Sequence, residues 1–371
     1  MNIRESVLKY EEKAVFELRS LYRRYGYLPY KMSKFEEYDL YVRNKDFLVS
    51  DHIITFTDTD GKLLALKPDV TLSIIKNGKD SKGVQKLCYN ENVYRVTKGT
   101  QSFRELMQVG LECIGDIDDY SIYEVIMLAA ESLSKISENY VLDISHMGIL
   151  SAVIDSLDVS EDDKKAILKC VGEKNVHGLS EILDGKGTEA CALKKLISLY
   201  GAPEKVLSEL AVIAQTVKIA DELSSLEKII SLLNKNGYGK HIRIDFSVVN
   251  DLSYYNGFVF KGFIESVASG VLSGGQYDKL MKKMGRSSRA IGFAVYLDLL
   301  ERLDNSDGKY DVDAIVLYDE SSDLSALCDT VNLLSENGKT VMVQRELPTD
   351  IRYKQLLKLN ERGVEILENN A

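Results

Sequence analysis

The chain has 371 residues, which is enough for two or three domains that each bury a core. Hydrophobic residues at 45% and charged residues at 28% describe an ordinary soluble globular protein. A formal net charge of −10 repels phosphate backbones, so a nucleic-acid-binding role would require a local basic patch, and we find none in the sequence.

The cysteines and histidines do not form the patterns of metal sites. The five cysteines include no CxxC pair, and the four histidines lack spaced carboxylates or thiols. We therefore expect no metal and no other cofactor. Scattered cysteines fit a reducing compartment, and the sequence shows neither a signal-peptide core nor a membrane-spanning run of about eighteen apolar residues. The sequence thus predicts a cytoplasmic protein without membrane contact.

The first part of the chain alternates helices with paired strands. Residues 4 to 25 carry apolar side chains at helical spacing and end at Gly26, which predicts an amphipathic helix. IITFT and KLLAL flank a turn at Asp60 and Gly61 and predict a hairpin, while KLCYNENVYRV and FRELMQVGLECIG predict two further strands joined by TKGTQS. YEVIMLAAESLSKI follows as a helix. Strands in hairpins indicate an antiparallel sheet flanked by helices, an α+β fold.

The pattern becomes helical from about residue 147 to 238, which predicts an all-helical insertion. Strand character returns in HIRIDFSVV and YNGFVFKGFIES, before the turn SGGQYD and a predicted helix, RAIGFAVYLDLLERL. We predict one domain over residues 1–303. A second unit, residues 310–371, has the predicted βαβαβ order DAIVLY, LSALCDTVNLLSENG, TVMVQ, IRYKQLLKLNERG and VEIL, which indicates a small, partly parallel sheet.

One face of the predicted strand FRELMQVGLECIG is polar. Alternate residues of a strand share a face, so Arg104, Gln108 and Glu112 lie on one side, and the other side is apolar. Gly110 between the last two leaves room for a ligand to approach the backbone. This is the pattern of a binding wall on a buried sheet, although an ordinary solvent-facing strand has the same pattern.

Two other stretches add polar groups. In LKPDVT, Asp69 and Thr71 lie on one side if the chain is extended and could receive an ammonium group, but a Pro-Asp pair also makes turns. Tyr254, Tyr255 and Tyr277 could supply aromatic walls with polar tips, or could simply belong to the core.

Together these elements resemble the catalytic domain of histidyl-tRNA synthetase, a class II synthetase built on an antiparallel sheet. The order matches from residue 1 to about 303: LALKPDVT, NENVYRV with FRELMQVGLECIG (motif 2), SYYNGFVF (the histidine-binding loop), SGGQYDKL and RAIGFAVYLDLL (motif 3). Several motifs in one order are far more specific than any one of them. The synthetases normally have a glutamate at the position where this chain has Asp69. The resemblance implies that a bound histidine is surrounded by Asp69, Thr71, Gln108, Glu112, Tyr254, Tyr255 and Tyr277.

Two arginines that stabilise phosphate charge in the synthetases are missing. The histidine-binding loop of a synthetase begins with an arginine at the position where this chain has Asn250. Motif 3 of a synthetase carries a second arginine, at the position where this chain has Leu299. Neither replacement supplies the charge or the bidentate geometry of a guanidinium. Since one preorganised donor to a transition state contributes about 3 kcal/mol, losing two lowers the rate by roughly 10⁴-fold or more. The sequence therefore predicts a histidine site that does not adenylate histidine.

Smaller departures surround these losses. Gln276 replaces the arginine of a GGRYD turn, Ser33 stands at the motif 1 proline, and Thr97 replaces an acidic residue that follows Arg95. Motif 2 keeps Arg95 and Arg104, and either they still bind an anion or they only hold the sheet.

A histidine pocket without its catalyst resembles the regulatory subunits of ATP phosphoribosyltransferase, which are synthetase paralogues of bacterial histidine biosynthesis. The resemblance implies an inactive chain that a short-form catalytic subunit requires to condense ATP with phosphoribosyl pyrophosphate. It also implies feedback inhibition by L-histidine, and a homodimer that enters a hetero-octamer with the catalytic chains. Residues 310–371 resemble a shortened anticodon-binding domain, in which the acidic stretch YDESSD argues against tRNA binding.

Three other functions are compatible with the same sequence. The first is a working histidyl-tRNA synthetase with unusual motifs, which Asn250 and Leu299 argue against. The second is a histidine-binding module that serves another process. The third is a structural subunit with an empty pocket.

Overall fold

The computed structural model describes residues 8–48, 52–78, 80, 83–96, 102–184, 187–248, 255–300, 310–360 and 363–370. The chain divides into two compact units, Met1–Glu301 and Arg302–Ala371. None of the helices in the described ranges is long and apolar enough to cross a membrane.

The first unit contains a large sheet and a small one. Its strands are β1 Leu28–Pro29, β2 Phe35–Glu37, β3 Thr55–Thr57, β4 Leu63–Leu66, β5 Val84–Val96, β6 Phe103–Gly115, β7 Tyr140–His146, β8 Tyr200–Gly201, β9 Ile242–Asp245, β10 Phe258–Ile264, β11 Leu272–Gln276 and β12 Arg289–Tyr296. The large sheet has nine strands in the order β1-β5-β6-β12-β11-β10-β7-β9-β8, and the small sheet has the order β2-β4-β3. In this sheet order, each pair of neighbouring strands from β5 through β6, β12, β11 and β10 to β7 is antiparallel. This mainly antiparallel sheet with flanking helices confirms the predicted α+β fold.

The helices show the expected start signals. They are α1 Tyr10–Arg24, α2 Tyr38–Val42, α3 Thr71–Asn77, α4 Asp119–Ile136, α5 Met147–Asp155, α6 Glu161–Gly172, α7 Val176–Ile182, α8 Gly187–Ser198, α9 Pro203–Ile213, α10 Ala220–Lys235, α11 Asp278–Lys283 and α12 Leu324–Glu336. Asp118 caps α4, a Ser160–Asp163 capping box starts α6, and a proline opens α9. Helices α5 to α10 follow one another with only β8 between α8 and α9, over the stretch where the sequence predicts a helical insertion.

Helices α1 and α4 pack on one face of the large sheet. The fully buried Tyr22 of α1 meets the ring of Phe293 on β12 edge to face, with centroids 5.9 Å apart. Its hydroxyl lies 3.0 Å from that of Ser132 on α4. Burying an aromatic side chain of this kind contributes about 2–3 kcal/mol. One face of the sheet is thereby covered by helices, and the opposite face is left for other contacts.

Both predicted hairpins are confirmed. Strands β5 and β6 pair in register from Val84 with Gly115 to Val96 with Phe103. Strand β3 pairs antiparallel with β4 across a turn in which Gly61 has a φ of 81°, a conformation that favours glycine. Residues 97–101, most of TKGTQS, lie outside the described residues.

The predicted helix RAIGFAVYLDLLERL is wrong. Its first part is the central strand β12, and a 3₁₀ turn, Leu297–Leu299, follows. A central strand is buried on both faces, so it shows a continuous apolar run that periodicity cannot distinguish from a buried helix. The predicted turn SGGQYD likewise begins inside β11, where Gly274 and Gly275 pair with β10 and β12.

The second unit has one helix and four strands among its described residues. Its strands are β13 Val312–Leu317, β14 Val341–Gln344, β15 Tyr353–Asn360 and β16 Gly363–Asn369, in the sheet order β14-β13-β15-β16. The partly parallel sheet is confirmed, since β13 runs parallel to both neighbours. The predicted helix IRYKQLLKLNERG is wrong: it forms β15, because Leu357 and Leu359, two residues apart, both enter the core with α12.

We expect Gly274→Ala on β11 to destabilise the chain. A β-carbon there would lie 2.4 Å from the carbonyl oxygen of Gly292 and 2.4 Å from Cβ of Phe293, so the strands would have to move apart. Overpacking of this kind costs about 1–3 kcal/mol, which urea unfolding measures. The matched control is Gly172→Ala at the end of α6, where an added β-carbon meets nothing within 4 Å. An equal loss of unfolding free energy in both variants would contradict this close packing of β11 against β12.

Candidate functional site

A cavity of about 660 Å³ lies on the large sheet, on the face opposite α1 and α4. Arg95 lines it, whereas the side chain of Arg104 is exposed and is not part of the lining. Tyr254 lies outside the described residues. The structure brings together in this one cavity the other residues that the resemblance assigns to a histidine site: Asp69, Thr71, Gln108, Glu112, Tyr255 and Tyr277.

Strand β6 supplies the polar floor of the cavity. Gln108 and Glu112 are each only 2% exposed. Val109 and Leu111, which alternate with them, are completely buried on the helix side. Because both faces are buried over residues 108–115, the alternative of an ordinary solvent-facing strand is wrong for this part of β6, whereas the strand is exposed where it begins.

The side chains that line the cavity and that the sequence did not predict include Tyr89, Tyr296 and Lys261. Tyr89 faces Gly110 across the β5–β6 ladder, and a β-carbon on that glycine would lie 2.4 Å from the tyrosine Oη. The hydroxyl therefore fills the space that the sequence analysis assigned to a ligand. Tyr296 faces Gln108 across the β6–β12 ladder. Strand register is the signal that could have found both tyrosines, because directly opposite residues share a face.

The carboxyl group of Glu112 is the centre of hydrogen bonding in the cavity. Tyr277 donates its hydroxyl to Oε2 at 2.5 Å, and Thr71 donates to Oε1 at 2.9 Å. Gly292 lies beneath the group, since a β-carbon there would lie 1.8 Å from Oε2. Burial raises the pKa of Glu112 to about 8, although the hydrogen bonds from Tyr277 and Thr71 act to lower it. At neutral pH the carboxyl group is therefore mostly protonated, and a cationic partner would favour its ionised form.

Asp69 and Thr71 reach the cavity from the start of a helix. Of the two interpretations of LKPDVT, the structure shows the turn and not the extended strand. Asp69 accepts a hydrogen bond from the N–H of Leu72 at 2.9 Å, and α3 begins at Thr71. An aspartate that satisfies a free N–H group at a helix start stabilises that start.

Arg95 is held by the residues around Asp69. Its Nη2 lies 3.6 Å from Oδ2 of Asp69, and its Nε donates to the carbonyl oxygen of Pro68 at 2.5 Å. Burial raises the pKa of Asp69, and the nearby guanidinium opposes that rise. The contact with Arg95 therefore helps to fix the position of the aspartate.

Among the described positions that depart from the synthetase motifs, Asp69 lines the cavity, whereas Ser33, Gln276 and Leu299 do not. Oε1 of Gln276 accepts the N–H of Phe258 at 2.7 Å, so this buried glutamine ties β11 to β10. Leu299 ends the 3₁₀ turn after β12. Asn250 and Thr97 lie outside the described residues.

The lining can hold a small polar molecule with a ring and a positive charge. It offers three carboxyl groups, an amide and several hydroxyls between aromatic walls. In the described ranges, no cluster of three or more histidine, cysteine, aspartate or glutamate side chains is arranged to hold a metal ion. The fold and the cavity together define a class II synthetase-like domain with a polar cavity on its large sheet.

Comparison with known proteins gives the family. A model of the histidyl-tRNA synthetase family matches residues 3–300. The crystal structure described as an ATP phosphoribosyltransferase regulatory subunit/histidyl-tRNA synthetase from Bacillus halodurans has a TM-score of 0.75 at 24% identity, over 96% of each chain. The chain belongs to the histidyl-tRNA synthetase family.

The relatives in this family carry a narrower name. The ATP phosphoribosyltransferase regulatory subunit of Alkaliphilus metalliredigens is 30% identical over 289 residues, which are 75% of this chain and 72% of the relative. A chain of the ATP phosphoribosyl transferase complex from Thermotoga maritima shares the fold, with a TM-score of 0.62 at 18% identity over 77% of this chain and 97% of that one. Within the family the chain therefore groups with the ATP phosphoribosyltransferase regulatory subunits, as the sequence predicts.

Glu112→Gln tests whether this buried carboxyl group opposes folding at high pH. Folding raises its pKa from 4.5 to about 8, so the wild type loses stability as the pH rises through that window, and the full cost applies above it. A shift of this size corresponds to on the order of 5 kcal/mol. Glutamine does not ionise, so the variant lacks this part of the pH slope. Urea unfolding between about pH 5 and pH 9 measures the difference; parallel curves for the two proteins would show that Glu112 ionises freely in the folded state.

Proposed function

We propose that this chain is a non-catalytic regulatory subunit of ATP phosphoribosyltransferase whose cavity binds L-histidine. The short-form catalytic subunit requires it for activity, and histidine bound in the cavity is the feedback signal for the first step of histidine biosynthesis. The observation that carries the proposal is the buried carboxyl group of Glu112, held between the hydroxyls of Tyr277 and Thr71, in a chain whose relative bears this name.

The cavity offers a partner to each polar part of histidine. Glu112 and Asp69 receive the ammonium group and the imidazole, and Gln108 and Thr71 hydrogen-bond the remaining polar atoms. These partners are required because a buried polar group without one costs about 1–3 kcal/mol. The aromatic walls, which include Tyr255, exclude water from the ligand.

The arginines support a role without catalysis. Arg95 is engaged by Asp69 and by a backbone carbonyl group, and Arg104 is exposed. The sequence has Asn250 and Leu299 where a synthetase has its other two phosphate-binding arginines. The loss of two preorganised donors lowers adenylation by roughly 10⁴-fold. In this proposal Arg95 serves to orient the ligand-binding aspartate.

Feedback inhibition requires that histidine bind the inhibited assembly more tightly than the active one. A coupling free energy of about 1–3 kcal/mol changes activity by roughly five- to 150-fold. The assembly we propose is a homodimer within a cytoplasmic hetero-octamer that also contains the catalytic chains. Residues 310–371 are an anticodon-binding-like remnant that does not bind tRNA, because the unit carries the acidic stretch YDESSD.

Calorimetry with L-histidine tests the ligand. We expect Glu112→Gln to weaken binding by about 10- to 100-fold, since a hydrogen bond to a charged group contributes about 1.5–3 kcal/mol. Glu105→Gln is the matched control, because Glu105 lies on the same strand but is exposed and bonds only to surface partners, Asn92 and Tyr94. Equal histidine affinity in the wild type and Glu112→Gln would remove Glu112 from the site.

Reconstitution with a short-form catalytic subunit tests the function itself. We expect phosphoribosyl transfer to depend on this chain and to fall as histidine is added. With the Glu112→Gln chain, the histidine concentration for half inhibition should rise by about the same factor as the dissociation constant, because inhibition follows occupancy of the histidine site.

Two results would contradict the regulatory role. One is full activity of the catalytic subunit without this chain. The other is histidine-dependent exchange of pyrophosphate into ATP by the purified chain, which would instead indicate a working histidyl-tRNA synthetase.

A further inference from the structure

The cavity is larger than one amino acid requires. Pockets of about 300–1,000 Å³ hold drug-sized ligands, and this cavity has a volume of about 660 Å³. The residues assigned to histidine occupy one end of it, around β6 and the start of α3. The other end is lined by residues of β10, of β11 and of the turn between them: Lys261, Ser269, Gly270 and Ser273.

Lys261 lies too far along the sheet to contact a histidine bound at Glu112. Strand β10 is three places from β6, which separates the two strands by roughly 14 Å. When the strand pairs are followed across the sheet from β6 to β10, Glu112 lies in line with Val259. Val259 comes two residues before Lys261 on β10. The ammonium group of Lys261 lies over the ring of Phe263, 5.5 Å from its centroid, and so points further from Glu112. The two ends are therefore separate binding positions.

The other charges of the cavity lining are already matched. Arg95 pairs with Asp69, and the carboxylate of Asp46 lies 3.0 Å from Lys283. Burial keeps Glu112 mostly protonated at neutral pH. Within the described part of the chain, no carboxylate lies within ion-pair distance of Lys261. This end of the cavity consequently carries a net positive charge.

Asp143 cancels that charge only in part. It faces Lys261 across the β10–β7 ladder, and its Oδ1 is buried without a hydrogen-bond partner among the described residues. Burial and the neighbouring carboxylate of Asp245 raise the pKa of Asp143 to about 7, although Lys174, Arg243 and Lys261 act to lower it, so the group is only partly ionised at neutral pH. Asp245 is itself paired with Lys174 at 2.8 Å.

We propose that this end of the cavity is an anion subsite in which Lys261 and the hydroxyl of Ser269 bind a phosphate group of a small metabolite. A lysine ammonium group is a compact point charge with three donors, which suits phosphate. Gly270 leaves the space that the side chain of Lys261 occupies, because a β-carbon at Gly270 would lie 2.3 Å from Cε of Lys261 and would displace the lysine side chain. The subsite goes beyond the proposed function, since neither histidine binding nor assembly requires it.

Calorimetric titration of the full chain with inorganic phosphate, pyrophosphate and AMP tests the subsite, in the presence and absence of L-histidine. We expect binding at low salt that weakens as salt is added, because the ammonium group is partly exposed to solvent. Pyrophosphate that binds as well as AMP identifies a free phosphate ligand, whereas tighter binding of AMP identifies a nucleoside phosphate. Lys261→Met should weaken the binding of inorganic phosphate, pyrophosphate or AMP, whichever binds to the wild type, by about tenfold or more.

Lys282→Met is the matched control, because it removes the same charge from an exposed position of α11 that does not line the cavity. Lys261→Gln is a second variant for the case in which Lys261→Met fails to fold. The proposal is overturned if none of the three probes binds to the wild type, or if Lys282→Met weakens binding as much as the Lys261 variants do. Failure of L-histidine to bind in the same experiments would overturn the proposed function and leave the phosphate assignment standing.

Discussion

The buried carboxyl group of Glu112 is the contact on which the rest of the site depends. It joins three separate segments, because Thr71 and Tyr277 lie 41 and 165 residues away from it along the chain. The contact therefore depends on bringing together segments that are distant along the chain. Burying an ionisable group works against folding, and an apolar residue of the same size would often be more stable. A chain that keeps such a group at the bottom of a cavity is typical of one that uses it for binding.

The same carboxyl group determines which residues fit around it. Gly292 must lack a side chain because Oε2 of Glu112 occupies that space. Gly110 is restricted in the same way by Tyr89, and Gly275 by Tyr255, whose ring lies 2.6 Å from where a β-carbon would be. Glycine weakens a strand when considered alone. On these three neighbouring strands it leaves the space that the side chains of Glu112, Tyr89 and Tyr255 occupy.

The parts of this architecture that the sequence predicts are those with a local signal. The alternation along β6 predicts the buried positions of Gln108 and Glu112, and turn residues predict the hairpins. The strand β12 is missed because burial on both faces removes the alternation. Tyr89 and Lys261 are missed for a different reason: their places on the cavity follow from cross-strand register, which depends on pairing between distant segments. The sequence therefore predicts which strands are polar more reliably than which residues meet.

The distribution of charge explains how one cavity could hold two ligands. The end of the cavity that we propose for histidine contains the Asp69–Arg95 ion pair and the mostly protonated Glu112. Histidine has no net charge at neutral pH when its imidazole is neutral, so a histidine bound beside the protonated Glu112 would add no net charge. A phosphate near Lys261 then meets no new repulsion, even though two like charges about 10 Å apart would cost about 1.7 kcal/mol at an effective dielectric constant of about 20. The raised pKa of Glu112 would thus allow histidine and an anion to occupy opposite ends of the sheet together.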